Sequence, residues 1–263
     1  MAREVLLMAS SLIPPLLPIW LESRVGLELA ELMSSPLLRG EGVRDGGGQP
    51  VLLVPGFLLG DDSLGLMAAW LLRTGHRTES SGLVCNVDCS EASVGRVADR
   101  LERLAERAGR RVVVVGQSRG GLYARVLAVR RPDLVAAIVT LGSPVMAPGA
   151  VHPVMVAQAA VIASLGIFQL PGVLSWECVG DTCCRGFWAD LATPFPDTVG
   201  YDSIYSRSDG IIDWHACLDP GAAHREVSSS HYGMSVNVAV YELIAAALAA
   251  GDSPAKCGKG HAS

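Results

Sequence analysis

The chain has 263 residues, half of them hydrophobic and 18% charged. That excludes a disordered chain and supplies enough apolar side chains for one large core. A net charge of −5, with no basic run beyond pairs such as Arg110–Arg111 and Arg130–Arg131, argues against a nucleic-acid partner.

In chain order, residues 1–48 read as an N-terminal helical arm followed by a glycine-rich connector, "GEGVRDGGGQP". The arm is apolar, but Pro14, Pro15 and Pro18 interrupt it, and no proline-free stretch reaches the ~18 apolar residues of a membrane span. It shows no clear small-x-small cleavage site. The reading is a retained arm packed on the body. A secretory signal and a membrane-surface anchor are the alternatives.

"VLLVPGF" (51–57) is a short buried strand ended by Pro55-Gly56. "SLGLMAAWLLRTG" has helical apolar spacing and stops at Gly75. In "SEASVGRVADRLERLAERAG", Ser90 reads as an N-cap, and Val94, Val97, Leu101, Leu104 and Ala105 form one apolar stripe. The valine strand of "RRVVVVGQS", the helix "GLYARVLAVRR" and the strand "LVAAIVTLGSP" (134–144) follow. These strands are apolar throughout, which marks a parallel sheet covered on both faces. Strand–helix alternation predicts an α/β layered fold.

The rhythm breaks at about residues 146–196, which read as a cap inserted over the sheet edge. Regularity resumes with the strands in "VGYDSIYSRSDG" and "HREVSSSHYG" and the helix "SVNVAVYELIAAALAAG". Residues 49–251 form the predicted domain, and 252–263 a frayed tail. The seven cysteines show no Cys-x-x-Cys pair of a zinc site, so no metal is expected. They fit free or buried thiols in a cytoplasmic protein. The alternative is an exported protein bridged within Cys178–Cys184, or from there to Cys217.

Gly116-Gln117-Ser118-Arg119-Gly120 fits G-x-S-x-G between a buried strand and a helix. That turn lifts a serine hydroxyl above the sheet, over a helix N-terminus that favours negative charge. Phosphate binding fails on spacing, since there is no Walker lysine and no G-x-G-x-x-G.

With "VLLVPGF", "VVVVGQSRGG", "IVTLGSP", "YSRSDGIIDW" and "VSSSHYGM" in that order, the sequence resembles the α/β-hydrolase family, in its lipase/esterase-like branch. The resemblance covers roughly residues 49–251. It implies a mostly parallel central sheet with helices on both faces and a helical cap. It also implies a serine hydrolase with its triad in the order serine, acid, histidine. Ser118 would be the nucleophile and His231 the base that its weakly nucleophilic hydroxyl needs. Asp209 would be the acid, with Asp213 as its rival. The oxyanion donors would be the backbone N–H groups of Arg119 and Phe57, with Leu58 as the fallback. Pro55 stands where many family members have a histidine.

The apolar cap residues, Met155, Val156, Ile162, Leu165, Ile167 and Phe168, would line an acyl pocket or merely glue the cap to the body. Met155 and Phe168 are the candidate substrate contacts there, with Leu58 and Leu59 at the mouth. The expected substrate is a small-molecule ester or lipid with an apolar acyl group, and no cofactor is implied. The alternatives are an acyltransferase or thioesterase using the same triad, and a non-catalytic protein that only binds an apolar ligand.

Overall fold

The computed structural model describes residues 17–166, 172–179 and 183–251. Part of the arm (1–16), Ile167, Phe168 and the predicted tail lie outside the described residues.

The described chain opens on a 3-10 helix, Ile19–Arg24, which runs into α1, Val25–Ser34. A second 3-10 helix, Pro36–Arg39, leads to the connector. The body then alternates: β1 (Pro50–Val54), α2 (Gly65–Arg73), β2 (Arg77–Ser80), α3 (Ser90–Ala108), β3 (Val112–Gln117), α4 (Arg119–Arg130) and β4 (Val135–Leu141). Between β4 and β5 (Gly200–Ser206) lies the cap, with α5 (Pro153–Leu165), α6 (Trp176–Val179) and α7 (Arg185–Ala192). β6 (Ala223–Val227) and α8 (Val238–Gly251) complete it.

The sheet order is β2-β1-β3-β4-β5-β6, and every adjacent pair is parallel. Alternate residues of one strand serve opposite faces. Leu52, Val54, Val112 and Val114 pack toward α3, α4 and α7. Val51, Leu53, Val113 and Val115 pack toward α2 and α8, where Trp70 meets Tyr241 with ring centroids 4.7 Å apart. Each buried aliphatic side chain contributes roughly 1.5–3 kcal/mol, so both faces demand apolar residues and the polar-out alternation vanishes. Leu32 of α1 is buried in the second layer, so the arm closes part of the core.

One strand escaped the sequence reading, and one expectation needs correcting. β2 has no apolar signature: its residues are Arg-Thr-Glu-Ser, at most half-buried, and it forms a sheet edge by backbone pairing to β1 alone. Ser90 is not the cap of α3, because the N-cap residue is Cys89, with no side-chain cap bond. Gly109, at φ 61°, does terminate that helix in the left-handed conformation. Among the described residues, no helix is long and apolar enough to cross a membrane.

From β1 the chain passes outward to β2, then back across to β3 on β1's other side. The connections that leave the carboxyl ends of β1 and β3 therefore diverge, and a crevice opens between their loops. The cap is held over it by charged side chains of α4. Arg125 of α4 meets Asp219 at 2.6 Å and also donates to the carbonyls of Leu191 and Thr193. Both charged side chains are buried. Removing one partner strands the other charge, which costs roughly 3–5 kcal/mol.

Asp219→Ala is therefore expected to lower the urea midpoint sharply at unchanged slope, whereas Arg125→Met with Asp219→Leu recovers most of it. An unchanged midpoint in the single variant would refute the role of this pair.

Candidate active site

The loop after β3 turns within one residue. Ser118 has φ 53° and ψ −120°, and only Leu58 shares positive φ among the described non-glycine residues. Such a conformation costs about 1–3 kcal/mol and needs surroundings that impose it. Here Ser118 N–H donates to Leu141 O at 2.8 Å, and Gly121 N–H donates to Ser118 O at 3.0 Å. The helix also returns tightly across the strand. A Cβ on Gly116 would overlap the carbonyl of Gly120, and one on Gly120 would overlap the carbonyl of Val54. The two glycines are thus demanded by contact, and the N-terminus of α4 points into the crevice.

The loop after β1 forms the facing wall. Leu58, at φ 64°, turns the chain away, and its N–H donates to Asn86 O at 3.3 Å. That removes Leu58 as an oxyanion donor. Leu59 N–H is likewise taken, by Gly56 O. The amides of Phe57 and Arg119 have no acceptor among the described residues. Asn86 holds this wall: its Nδ2 donates to Pro55 O at 2.9 Å, and its Oδ1 accepts from Tyr123 OH at 3.0 Å. The Arg119 guanidinium donates to Asn86 O, Asp88 O and Ser90 Oγ, and lies over the rings of Phe57 and Tyr123. Sequence reasoning used only the backbone of Arg119 and missed Asn86 entirely.

The loops after β5 and β6 bring Asp209 and His231 together. His231 Nδ1 donates to Asp209 Oδ2 at 2.7 Å, and both side chains are buried. Asp209 Oδ1 accepts from the N–H groups of Ile211 and Ile212 at 2.8 and 2.7 Å. Its rival Asp213 is committed elsewhere, to the exposed His215 at 2.7 Å. Burial disfavours the imidazolium of His231. The charge and hydrogen bond of Asp209, with the charge of Glu22, outweigh that and hold its pKa above the ordinary value.

The pair stands over the end of β4. A Cβ built on Gly142 would lie 3.0 Å from His231 Nδ1 and 3.1 Å from Asp209 Oδ2. Ser118 is fastened to the preceding residue, Leu141, and Gln117 Nε2 donates to His231 O at 3.2 Å. Ser118 follows β3, Asp209 follows β5 and His231 follows β6, all at the carboxyl edge of one sheet. No hydrogen bond joins the Ser118 hydroxyl to His231 among the described contacts. Such bonds commonly tighten only when substrate is bound.

The largest omission of the sequence reading lies in the arm. Glu22 Oε1 accepts from the N–H groups of Gly210 and His231, both at 2.9 Å, and Oε2 accepts from Tyr232 N–H at 3.0 Å. Glu28, buried in α1, accepts from Ser230 N–H at 2.9 Å and from its hydroxyl at 2.7 Å. One carboxylate therefore ties the Asp209 loop to the His231 loop. An acidic residue in the short amphipathic stretch "IWLESR" was the only available signal.

A cavity of about 350 Å3 opens beside Ser118, with a mostly apolar lining that includes Phe57, Leu122, Met155, Val156 and Trp188. Met155 is part of that lining, and Phe168 lies outside the described residues. Leu58 and Leu59 are not among the residues that line the cavity.

No protein-family model matches the sequence, and no curated protein matches it. Solved structures do. A metagenomic carboxyl esterase aligns with a TM-score of 0.61 at 15% identity, over 94% of this chain and 98% of its own. A soluble variant of monoglyceride lipase from Saccharomyces cerevisiae gives 0.57 at 12%, over 82% and 90%. Alpha/beta hydrolase domain-containing protein 10 from mouse gives 0.50 at 18%, over 76% and 88%. The chain has the α/β-hydrolase fold, as its motifs implied.

Replacing Glu22 by Gln removes a negative charge near the imidazole and one of the two acceptor oxygens. The His231 pKa, followed by imidazole NMR titration, is expected to move down, because the imidazolium loses support. A value unchanged or raised would contradict this account.

Proposed function

We propose that this chain hydrolyses carboxylic esters through an acyl-enzyme on Ser118. One observation carries the reading: Ser118, strained above a helix N-terminus, faces an apolar cavity beside a buried histidine–carboxylate pair. The hydroxyl attacks the ester carbonyl carbon, and His231 Nε2 takes its proton. Asp209 fixes the tautomer by holding Nδ1–H and stabilises the imidazolium. The N–H groups of Phe57 and Arg119 receive the developing oxyanion. His231 then returns the proton to the departing alcohol. Water, activated by the same base, releases the acid.

The substrate class follows from the lining. Polar groups are few beyond Ser90, Ser118 and Arg119, so the acyl chain is apolar. A volume of about 350 Å3 is at the lower end of the ~300–1,000 Å3 of small-molecule sites, which favours short and medium chains. The solved neighbours include a carboxyl esterase and a monoglyceride lipase, which supports an ester or lipid ester.

In a p-nitrophenyl ester series, kcat/KM is expected to rise from acetate to a medium acyl length and then fall. Ser118→Ala and His231→Ala should each lower it by at least ~10^3-fold, and Asp213→Asn should keep most of it. A fluorophosphonate probe should label the wild type and not Ser118→Ala. Folded wild type that neither labels nor turns over any ester leaves only a binding protein. Ester exchange in place of free acid, when an alcohol is added, indicates an acyltransferase. Because His231 must be neutral to accept the proton, activity should fall as pH drops through its raised pKa. In Glu22→Gln that acid limb moves to lower pH.

A further inference from the structure

Four cysteine sulfurs meet at the seam between cap and body. Cys89, just before α3, comes from the body. Cys178 comes from α6, and Cys183 and Cys184 from the turn before α7. Their Sγ atoms all lie within 4.8 Å of one another. Cys183 Sγ is 3.5 Å from Cys89, 3.2 Å from Cys178 and 3.6 Å from Cys184, and Cys89 is 3.3 Å from Cys184.

The described cysteines are free thiols, as the first reading of the sequence has them, but their clustering was not foreseen. Cys217 does not join the others, being buried with Tyr205, Ile211 and Ile212. Cys89, almost 90 residues upstream of Cys178, does. Two disulfides need only two separate pairs of sulfurs. Here one sulfur approaches three others almost evenly, as ligands of a common centre do. A tetrahedral zinc with Zn–S bonds of about 2.3 Å holds its sulfurs about 3.8 Å apart, close to the spacing found.

Cys89 is the N-cap of α3 and Cys184 that of α7, so two helix N-termini bring positive potential to the cluster. The N–H of Ser175 donates to Cys178 Sγ at 3.5 Å, with its hydroxyl at 3.7 Å, as outer-shell donors to a bound thiolate do. Tetrahedral S4 sets select zinc or iron, and zinc needs no redox partner.

We propose that Cys89, Cys178, Cys183 and Cys184 form a four-thiolate site for one zinc ion, which fastens the cap to the body. Binding is a proton exchange: four thiols release four protons to solvent and one Zn2+ enters, leaving a doubly negative centre. Cys178 also borders the cavity beside Ser118, so the metal would stiffen one of its walls.

The test is metal content of the full-length, untagged protein grown with added zinc, and it does not depend on ester hydrolysis. About one zinc per chain is expected by mass spectrometry, falling at least tenfold in Cys89→Ser and in Cys183→Ser. Should those variants fold poorly, cobalt exchange into the wild type reads the same site through the visible absorption of tetrahedral thiolate-bound cobalt. Intact mass under non-reducing conditions should show all four thiols unbridged. Stoichiometric iron in place of zinc, no metal uptake after reduction and reloading, or a mass deficit of two hydrogens per bridge would each overturn the proposal.

Discussion

The tight return of α4 against β1 and β3 is the constraint from which the site follows. Gly120 lies against the carbonyl of Val54, and Gly116 against that of Gly120, so neither position admits a side chain. Only at that separation does the turn become a single residue, and only a single-residue turn forces Ser118 to positive φ. The sheet supplies the opposing force, since Ser118 N–H is bonded to the end of β4. Strain of this kind persists when several independent contacts hold it. Its result is a hydroxyl beside the amide ends of a helix, in a crevice that the strand order has already opened.

The other half of the site depends on the arm. The β5 and β6 loops present backbone N–H groups inward, and buried donors need acceptors. Glu22 accepts from Gly210, His231 and Tyr232, and Glu28 from Ser230. A carboxylate does this more firmly than water, because charge-assisted bonds are the stronger kind. It also adds negative potential beside the imidazole. The base is thereby made stronger, and the pH at which it becomes available is raised. Fixing the two loops and tuning the base are therefore one effect of the same side chain.

What the sequence disclosed was local chemistry. The valine run, G-x-S-x-G, the Asp209 turn and the His231 loop each carry their signal within about ten residues, and the α/β layering follows from strands without polar alternation. What it hid was either polar or distant. β2 carries Arg-Thr-Glu-Ser and announces nothing, because an edge strand paired by its backbone requires no apolar side chains. Glu22 meets His231 across 209 positions of chain, and no periodicity reports such a contact. The turn at Leu58 was hidden too, because its positive φ has no residue-type signature. The four cysteines likewise hide their meeting, since one ligand comes from the body and the others have no Cys-x-x-Cys spacing.

The cap is not uniformly tied down, and that bears on how a substrate reaches Ser118. Its trailing part is fixed: Arg125 holds carbonyls at the end of α7, and Arg130 pairs with both Asp190 of α7 and Glu91 of α3. Its leading helix, α5, buries Ala163 and leaves Val154, Val156, Val161 and Leu165 exposed. Few buried contacts mean a small free energy of local opening. Yet α5 begins on a firm footing, because His152 N–H donates to Ile211 O and Val151 bridges to Ile212. Those two isoleucines also donate the N–H groups that hold Asp209, and both border the cavity. One wall of the cavity and the clamp that holds Asp209 are therefore the same dipeptide. A substrate that displaces α5 at its start strains the Asp209 clamp, whereas one that displaces its far end does not. Passage by way of the far end of α5 is the route that leaves the histidine–carboxylate pair intact.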